Sequence, residues 1–184
     1  GTTGSPIASG PFGTYTTTVS GGTLDLNGKT LANALTLNGG GSTGALLNSS
    51  GTAATSSGAV SIATATTLGG SGNVTLSGAI SGATSGLAFV GAGNYNLSNT
   101  ANALSTIASG SGVGSLSVLN ASALSIGQVT VGGTTYSGIS STGTVSLTTY
   151  SGDLTVSQNI STSSTSSNTS TPALKLSAGA STAA

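Results

Sequence analysis

The chain has 184 residues, four formal charges (Asp25, Lys29, Asp153 and Lys175) and a net charge of zero. Ser, Thr, Gly and Ala fill 121 positions while Cys, His, Met and Trp are absent, which excludes thiol and imidazole catalysis, disulfides and Cys/His metal sites. Two cations cannot form the basic cluster that nucleic acid requires, and apolar runs such as Leu87-Ala88-Phe89-Val90 fall far short of the ~20 residues of a membrane-spanning helix.

In chain order, residues 1–13, with Pro6 and Pro11, show no alternation and read as a connector, so 1–20 is taken as an arm plus a first strand. Residues 21–184 then carry short runs of strict apolar–polar alternation, the period-two signature of half-buried strands. These are Leu24-Asp25-Leu26, Leu35-Thr36-Leu37, Val60-Ser61-Ile62, Val74-Thr75-Leu76 and Leu116-Ser117-Val118. They continue with Leu124-Ser125-Ile126, Val129-Thr130-Val131, Val145-Ser146-Leu147, Leu154-Thr155-Val156 and Leu174-Lys175-Leu176. Ser or Thr usually occupies the middle position, and Thr itself favours strands. Asn27-Gly28, Asn38-Gly39, Gly69-Gly70 and Gly132-Gly133 follow strands and are expected to turn the chain, since these residues reach positive φ at little cost. A Ser/Thr-rich loop is expected at 161–171. No segment holds helical spacing. With 36 Leu, Val and Ile residues placed in register, the chain reads as all-β and not as a disordered linker.

Self-similarity sets the expected architecture. Asn73–Gly78 lines up with Asn94–Asn99 at an offset of 21, as do Leu26-Asn27 with Leu47-Asn48 and Leu124–Ile126 with Val145–Leu147. Val129–Val131 and Leu154–Val156 lie 25 apart. Repeats of this size are the mark of stacked coils that bury their inner faces against their neighbours. The expectation is a parallel β-helix of about 21–25 residues per coil. Eight or nine coils stacked ~4.8 Å apart would make a rod about 40 Å long. A sandwich or antiparallel barrel is the alternative, but six aromatics supply little bulk for such a core.

Gly22–Leu31, Leu35–Gly39, Gly70–Gly82 and Val90–Ser98 resemble the β-strand repeats of autotransporter passenger domains. Leu147–Val156 and Ala173–Gly179 resemble repeats of filamentous haemagglutinin-like exoproteins. The resemblance spans roughly residues 20–184 and implies a right-handed parallel β-helix (β-solenoid). It also implies export through an outer-membrane barrel to a bacterial surface, as adhesin, fibre or biofilm material. Neither repeat type carries catalytic residues.

The residues themselves offer little chemistry. Asp25 and Asp153, the two carboxylates, are 128 positions apart, and paired-carboxylate catalysis needs them adjacent in space. Asp25 and Lys29 read as a local pair flanking the Asn27-Gly28 turn. Gly39-Gly40-Gly41 lacks the following Asp of a calcium repeat, and Gly28-Lys29-Thr30 lacks the spacing and helix of a phosphate loop. Six sequons, at Asn48, Asn73, Asn96, Asn120, Asn159 and Asn168, follow from the Ser/Thr content. The Asn27/Asn48 and Asn73/Asn94 recurrences read as turn amides bonding between coils. Tyr15, Phe89, Tyr95, Tyr136 and Tyr150 read as core plugs or lateral contacts. No catalytic, cofactor or metal residue is predicted.

The sequence therefore predicts a non-enzymatic extracellular structural protein that associates with copies of itself, with a host or neighbouring cell surface as a further partner. Its ends, Gly1 and Ser181–Ala184, suggest a segment of a longer polypeptide. An uncharged surface offers no like-charge repulsion between copies, so uncapped coils are expected to stack into filaments. The alternative is a binding solenoid, for carbohydrate or for ice, the latter requiring Thr-x-Thr at one register in every coil.

Overall fold

A computed structural model describes residues 12–13, 15–82, 84–166 and 170–179. These residues form twenty-two short strands and no helix. The first turn holds β1 (Thr17–Ser20), β2 (Leu24–Asp25) and β3 (Thr30–Leu31), and the second β4 (Leu35–Asn38), β5 (Leu46–Asn48) and β6 (Ala54–Ser56). The third holds β7 (Val60–Ile62), β8 (Thr66–Gly70) and β9 (Val74–Leu76), and the fourth β10 (Ile80–Ser81), β11 (Gly86–Phe89) and β12 (Tyr95–Leu97). The fifth has β13 (Thr106–Ser109) and β14 (Leu116–Asn120). In the sixth, β15 (Leu124–Ile126) leads through β16 (Gln128–Val131) and β17 (Thr134–Ser137) to β18 (Ile139–Ser141) and β19 (Val145–Thr149). The seventh comprises β20 (Leu154–Val156), β21 (Ile160–Thr162) and β22 (Leu174–Ser177).

Each turn stacks in parallel on the previous one. The first sheet runs β1-β4-β7-β10, the second β2-β5-β8-β11-β13-β15-β20, and the third β3-β6-β9-β12-β14-β19-β22. This is a β-solenoid; parallel pairing throughout the three sheets rules out the sandwich and the antiparallel barrel. Seven turns replace the eight or nine expected, a stack about 30 Å long at ~4.8 Å per turn.

Coil length is less regular than the sequence predicted. Thr17 pairs with Leu35, eighteen residues on, whereas Leu124 pairs with Leu154, thirty on, so the range of 21–25 is too narrow. The corners absorb most of the difference in length, because the strands must pair with their neighbours. Val74 does pair with Tyr95 at 21. Leu24 and Asp25, however, pair with Leu46 and Leu47, one residue off the expected register of Leu26-Asn27. Leu124–Ile126 and Val145–Leu147 lie on different sheets of the same turn. Val129–Val131 is not a coil strand at all. Gly69-Gly70, expected as a turn, closes β8, and β21 takes Ser161 and Thr162 from the expected loop. The expected arm of residues 1–13 lies outside the described residues except for Phe12 and Gly13.

The inner rows are aliphatic. Leu46, Leu68 and Phe89 stack along the second sheet, and Val74, Tyr95, Leu116 and Val145 along the third. All are buried, each contributing about 1.5–3 kcal/mol by leaving water. In the fourth turn Phe89 and Tyr95 meet across the interior with ring centroids 5.3 Å apart at 47°, and the Tyr95 hydroxyl donates to the Val90 carbonyl.

The corners rest on asparagine. Between the second and third sheets, Asn48 accepts from the Gly28 N–H (2.9 Å) and donates to the Asn73 carbonyl (2.9 Å). Asn73 accepts from the Asn94 N–H and Asn94 from the Ser115 N–H (2.6 Å). The expected Asn73–Asn94 stacking is therefore present. Asn48 bonds Gly28 and not Asn27, because the register is shifted by one residue. The first sheet ends at β10. There Asn102 accepts from the Ile80 N–H at 2.9 Å, so a side-chain amide continues the ladder that a strand began. As that face closes, a short new one opens between the second and third sheets, formed by β18 and β21 and preceded by the Val113–Ser141 bridge.

The antiparallel hairpin β16–β17 is an insertion that leaves the coil. Its two-residue turn, Gly132 and Gly133, has φ of 56° and 82°, the left-handed pair that tight hairpins require. It lies on the outside of the second sheet, where Val129, Val131 and Tyr136 pack on Ala88, Val90 and Ala108. This second small core explains why two outward-facing alanines are fully buried.

Candidate functional site

The four charges are spread over the rod. Asp25 lies on β2 at one edge of the second sheet and Asp153 precedes β20 at the other. Six strand spacings of ~4.8 Å put them about 29 Å apart, so they form no carboxylate pair. Asp25 accepts hydrogen bonds from the Asn27 N–H (2.9 Å), the Ser49 N–H (3.1 Å) and the Ser49 hydroxyl. Burial raises its pKa and these three bonds lower it. The bonds prevail and hold the carboxyl below its ordinary 3.8. Asp25 thus reaches along the axis to the next turn, and the expected local pair with Lys29 does not form.

Other singled-out residues have structural places. Asn48 and Asn120 are fully buried corner amides, whereas Asn73, Asn96 and Asn159 are exposed. Asn168 lies outside the described residues. Phe89 and Tyr95 are core plugs, Tyr136 lies beneath the hairpin, Tyr150 is half-buried and Tyr15 is exposed. Burial pushes the Tyr95 and Tyr136 hydroxyls upward in pKa. Gly39, Gly40 and Gly41 all have positive φ, and the hairpin tip at Gly132 comes up against Gly41.

Two surfaces of the described residues stand out. The first is the outer end of the seventh turn. Its inward row, Leu154, Val156, Ile160, Leu174 and Leu176, stacks on the buried residues Leu124, Ile126, Ile139, Val145 and Leu147 of the sixth turn. Val156, Leu174 and Leu176 are nonetheless 49, 40 and 41% exposed, because no described coil covers them. The backbone edges of β20, β21 and β22 face outward there as well. At the opposite end Val19, Leu26 and Leu31 of the first turn are buried.

The second surface is the outer face of the third sheet. Thr30, Thr55 and Thr75 stand in register, followed by Asn96, Ser117, Ser146 and Lys175. The threonine row thus occupies three rungs and stops, unlike the continuous array that an ice-binding face requires. From Asn96 onward the face hollows into a groove of about 330 Å³. Ser117, Ser146 and Lys175 are the middles of apolar–polar–apolar triplets read from the sequence, and Asn96 falls in the Asn94–Asn99 repeat of Asn73–Gly78. Their alignment was hidden because the offsets are 21 and then 29. No family model matches the chain, and no curated protein or solved structure matches it either.

Proposed function

We propose that this chain is a non-enzymatic structural protein of a bacterial surface, a subunit or segment of a filament or adhesin whose copies associate through coil stacking. The observation that carries this reading is the seventh turn, an apolar layer of Leu154, Val156, Ile160, Leu174 and Leu176 whose strand edges pair with no further strand among the described residues. A further β-coil satisfies both the apolar layer and the backbone groups at once. Natural edges are protected by charge or proline; this one has a single cation, Lys175, on β22. Zero net charge leaves nothing to keep two such ends apart. The occupant assigned here is a second copy of the chain. Placement at the cell surface is supported by the resemblance of the repeats to exported β-helix proteins and by the lack of Cys.

Sedimentation velocity and electron microscopy of the purified chain test this reading. Assemblies that grow with concentration are expected, and Val156→Asp or Leu176→Asp should return them to monomer while leaving the β-sheet circular dichroism intact. A wild-type chain that stays monomeric at every soluble concentration would overturn it.

A further inference from the structure

We propose that the groove on the outer face of the third sheet binds a short acidic saccharide, two or three sugars long, with its carboxylate at Lys175. This site lies on the flank of the rod and does not depend on coil stacking.

The floor of the groove is the in-register row Asn96, Ser117, Ser146 and Lys175, one residue from each of four successive turns. None of these four side chains hydrogen-bonds or pairs with another described residue. The wall, in contrast, is fixed. The Asn94 side chain accepts from the Ser115 N–H at 2.6 Å, and the Ser115 hydroxyl accepts from the Thr144 N–H at 3.1 Å. Thr171 and Pro172 form the opposite lip. The groove therefore sets polar groups with no partner among the described residues beside a hydrogen-bonded wall, so a ligand has donors and acceptors to engage while the wall itself does not have to be ordered.

The chemistry of the floor defines what fits. Two hydroxyls and an amide can each both donate and accept, matching the hydroxyls of a sugar, and the ~4.8 Å rung spacing offers one such group per turn. Lys175 adds one ammonium with no ion-pair partner among the described residues, so the ligand carries a negative charge at that end. No aromatic face is exposed in the groove, since Tyr95 is 1% exposed; a flat aromatic ligand finds no ring to stack on. A volume of about 330 Å³ has the size of a fragment of two or three sugars.

The test uses the full chain and tri-galacturonic acid, with neutral galactotriose and inorganic phosphate as comparison probes, read by isothermal titration calorimetry and by amide chemical shifts. The acidic trisaccharide is expected to bind and to shift the amides of Asn96, Ser117 and Ser146. Lys175→Ala should weaken it about tenfold, the size of one charge-assisted hydrogen bond. Asn96→Ala should weaken it by a smaller factor, and both variants lie on an exposed face where folding is unaffected. Failure of tri-galacturonic acid to bind, binding unchanged in Lys175→Ala, or phosphate competing at equal affinity would each overturn the proposal. Loss of self-association in Val156→Asp with saccharide binding retained would show the two surfaces to be separate.

Discussion

Asn120 grips Leu104 by both backbone groups: its side-chain oxygen accepts from the Leu104 N–H at 2.8 Å and its amide donates to the Leu104 carbonyl at 3.0 Å. The same amide donates to the Ser122 carbonyl at 2.9 Å, and the side chain is fully buried. A two-point bond of this kind is what a neighbouring strand would supply, and it stands where the first sheet has ended. Asn120→Ala leaves the Leu104 N–H without its partner in a dry corner, which costs about 2–3 kcal/mol. Asn120→Leu should fare no better, since volume is kept but the bonds are lost. Urea denaturation reads both; a loss below about 0.5 kcal/mol would mean that the corner holds without the amide.

The hairpin should come away from the rod separately. A Cβ on Gly86 would lie 2.7 Å from a methyl of Val129, a member of the second small core. Gly86→Ala therefore pushes on β16 and should weaken hairpin docking by about 1–3 kcal/mol. Amide hydrogen exchange is the appropriate measurement. Val129, Val131 and Tyr136 should exchange faster while β9 and β12 keep their protection. Equal acceleration in all sheets would show that the hairpin and the solenoid form one cooperative unit.

Acid and alkali should act unequally. The chain has two carboxylate side chains, Asp25 and Asp153. Asp25 has its native pKa held below 3.8, so its contribution is present above that value and fades as pH falls through the lower native one; exposure keeps it small. Tyr95 and Tyr136 have native pKa values raised by burial above the ordinary 10.0. Their contribution is complete below 10.0 and is lost as pH rises toward the native values, because the unfolded chain ionises first. Thermal melts should vary little from neutral pH down to about 3 and fall steeply above about 10. Tyr95→Phe should flatten the alkaline limb. A melting temperature that collapses in acid and holds in alkali would contradict both assignments.

What the sequence made legible was the strand with aliphatic inner positions. Leu35-Thr36-Leu37 and Val74-Thr75-Leu76 announce their faces by alternation, and both are strands with the expected sides inward. Ala54–Ser56 and Thr66–Gly70 gave no such signal, because apart from Leu68 their inward positions are Ala, Ser, Thr and Gly, residues that composition spreads everywhere. Register was harder to read. Corners change length from turn to turn, and a repeat unit only three residues long matches many offsets, so Leu124–Ile126 could be aligned with its own turn. The hairpin did carry a cue, two glycines between alternating runs. Thr134–Ser137, though, has Tyr136 as its one apolar residue, and half of the pattern was missing. The groove depends on register, so its residues were visible as outward positions but not as neighbours.

Ser56 provides the last prediction. It faces inward on β6 between Leu31 and Leu76 of the adjacent turns, is fully buried, and its hydroxyl has no hydrogen-bond partner among the described residues. A buried hydroxyl without a partner lowers stability relative to an apolar group of similar size. Ser56→Ala removes the hydroxyl and opens a void too small to matter against that gain, so it should raise stability by about 1 kcal/mol. Thr30 and Thr55 are unaffected because they point to the other face of the same sheet. The measurement is the midpoint of urea unfolding at constant m-value. A midpoint that falls instead would show that the hydroxyl is satisfied in solution, by a water or by a shifted carbonyl, and that the row from Leu31 to Leu76 is less dry than its packing indicates.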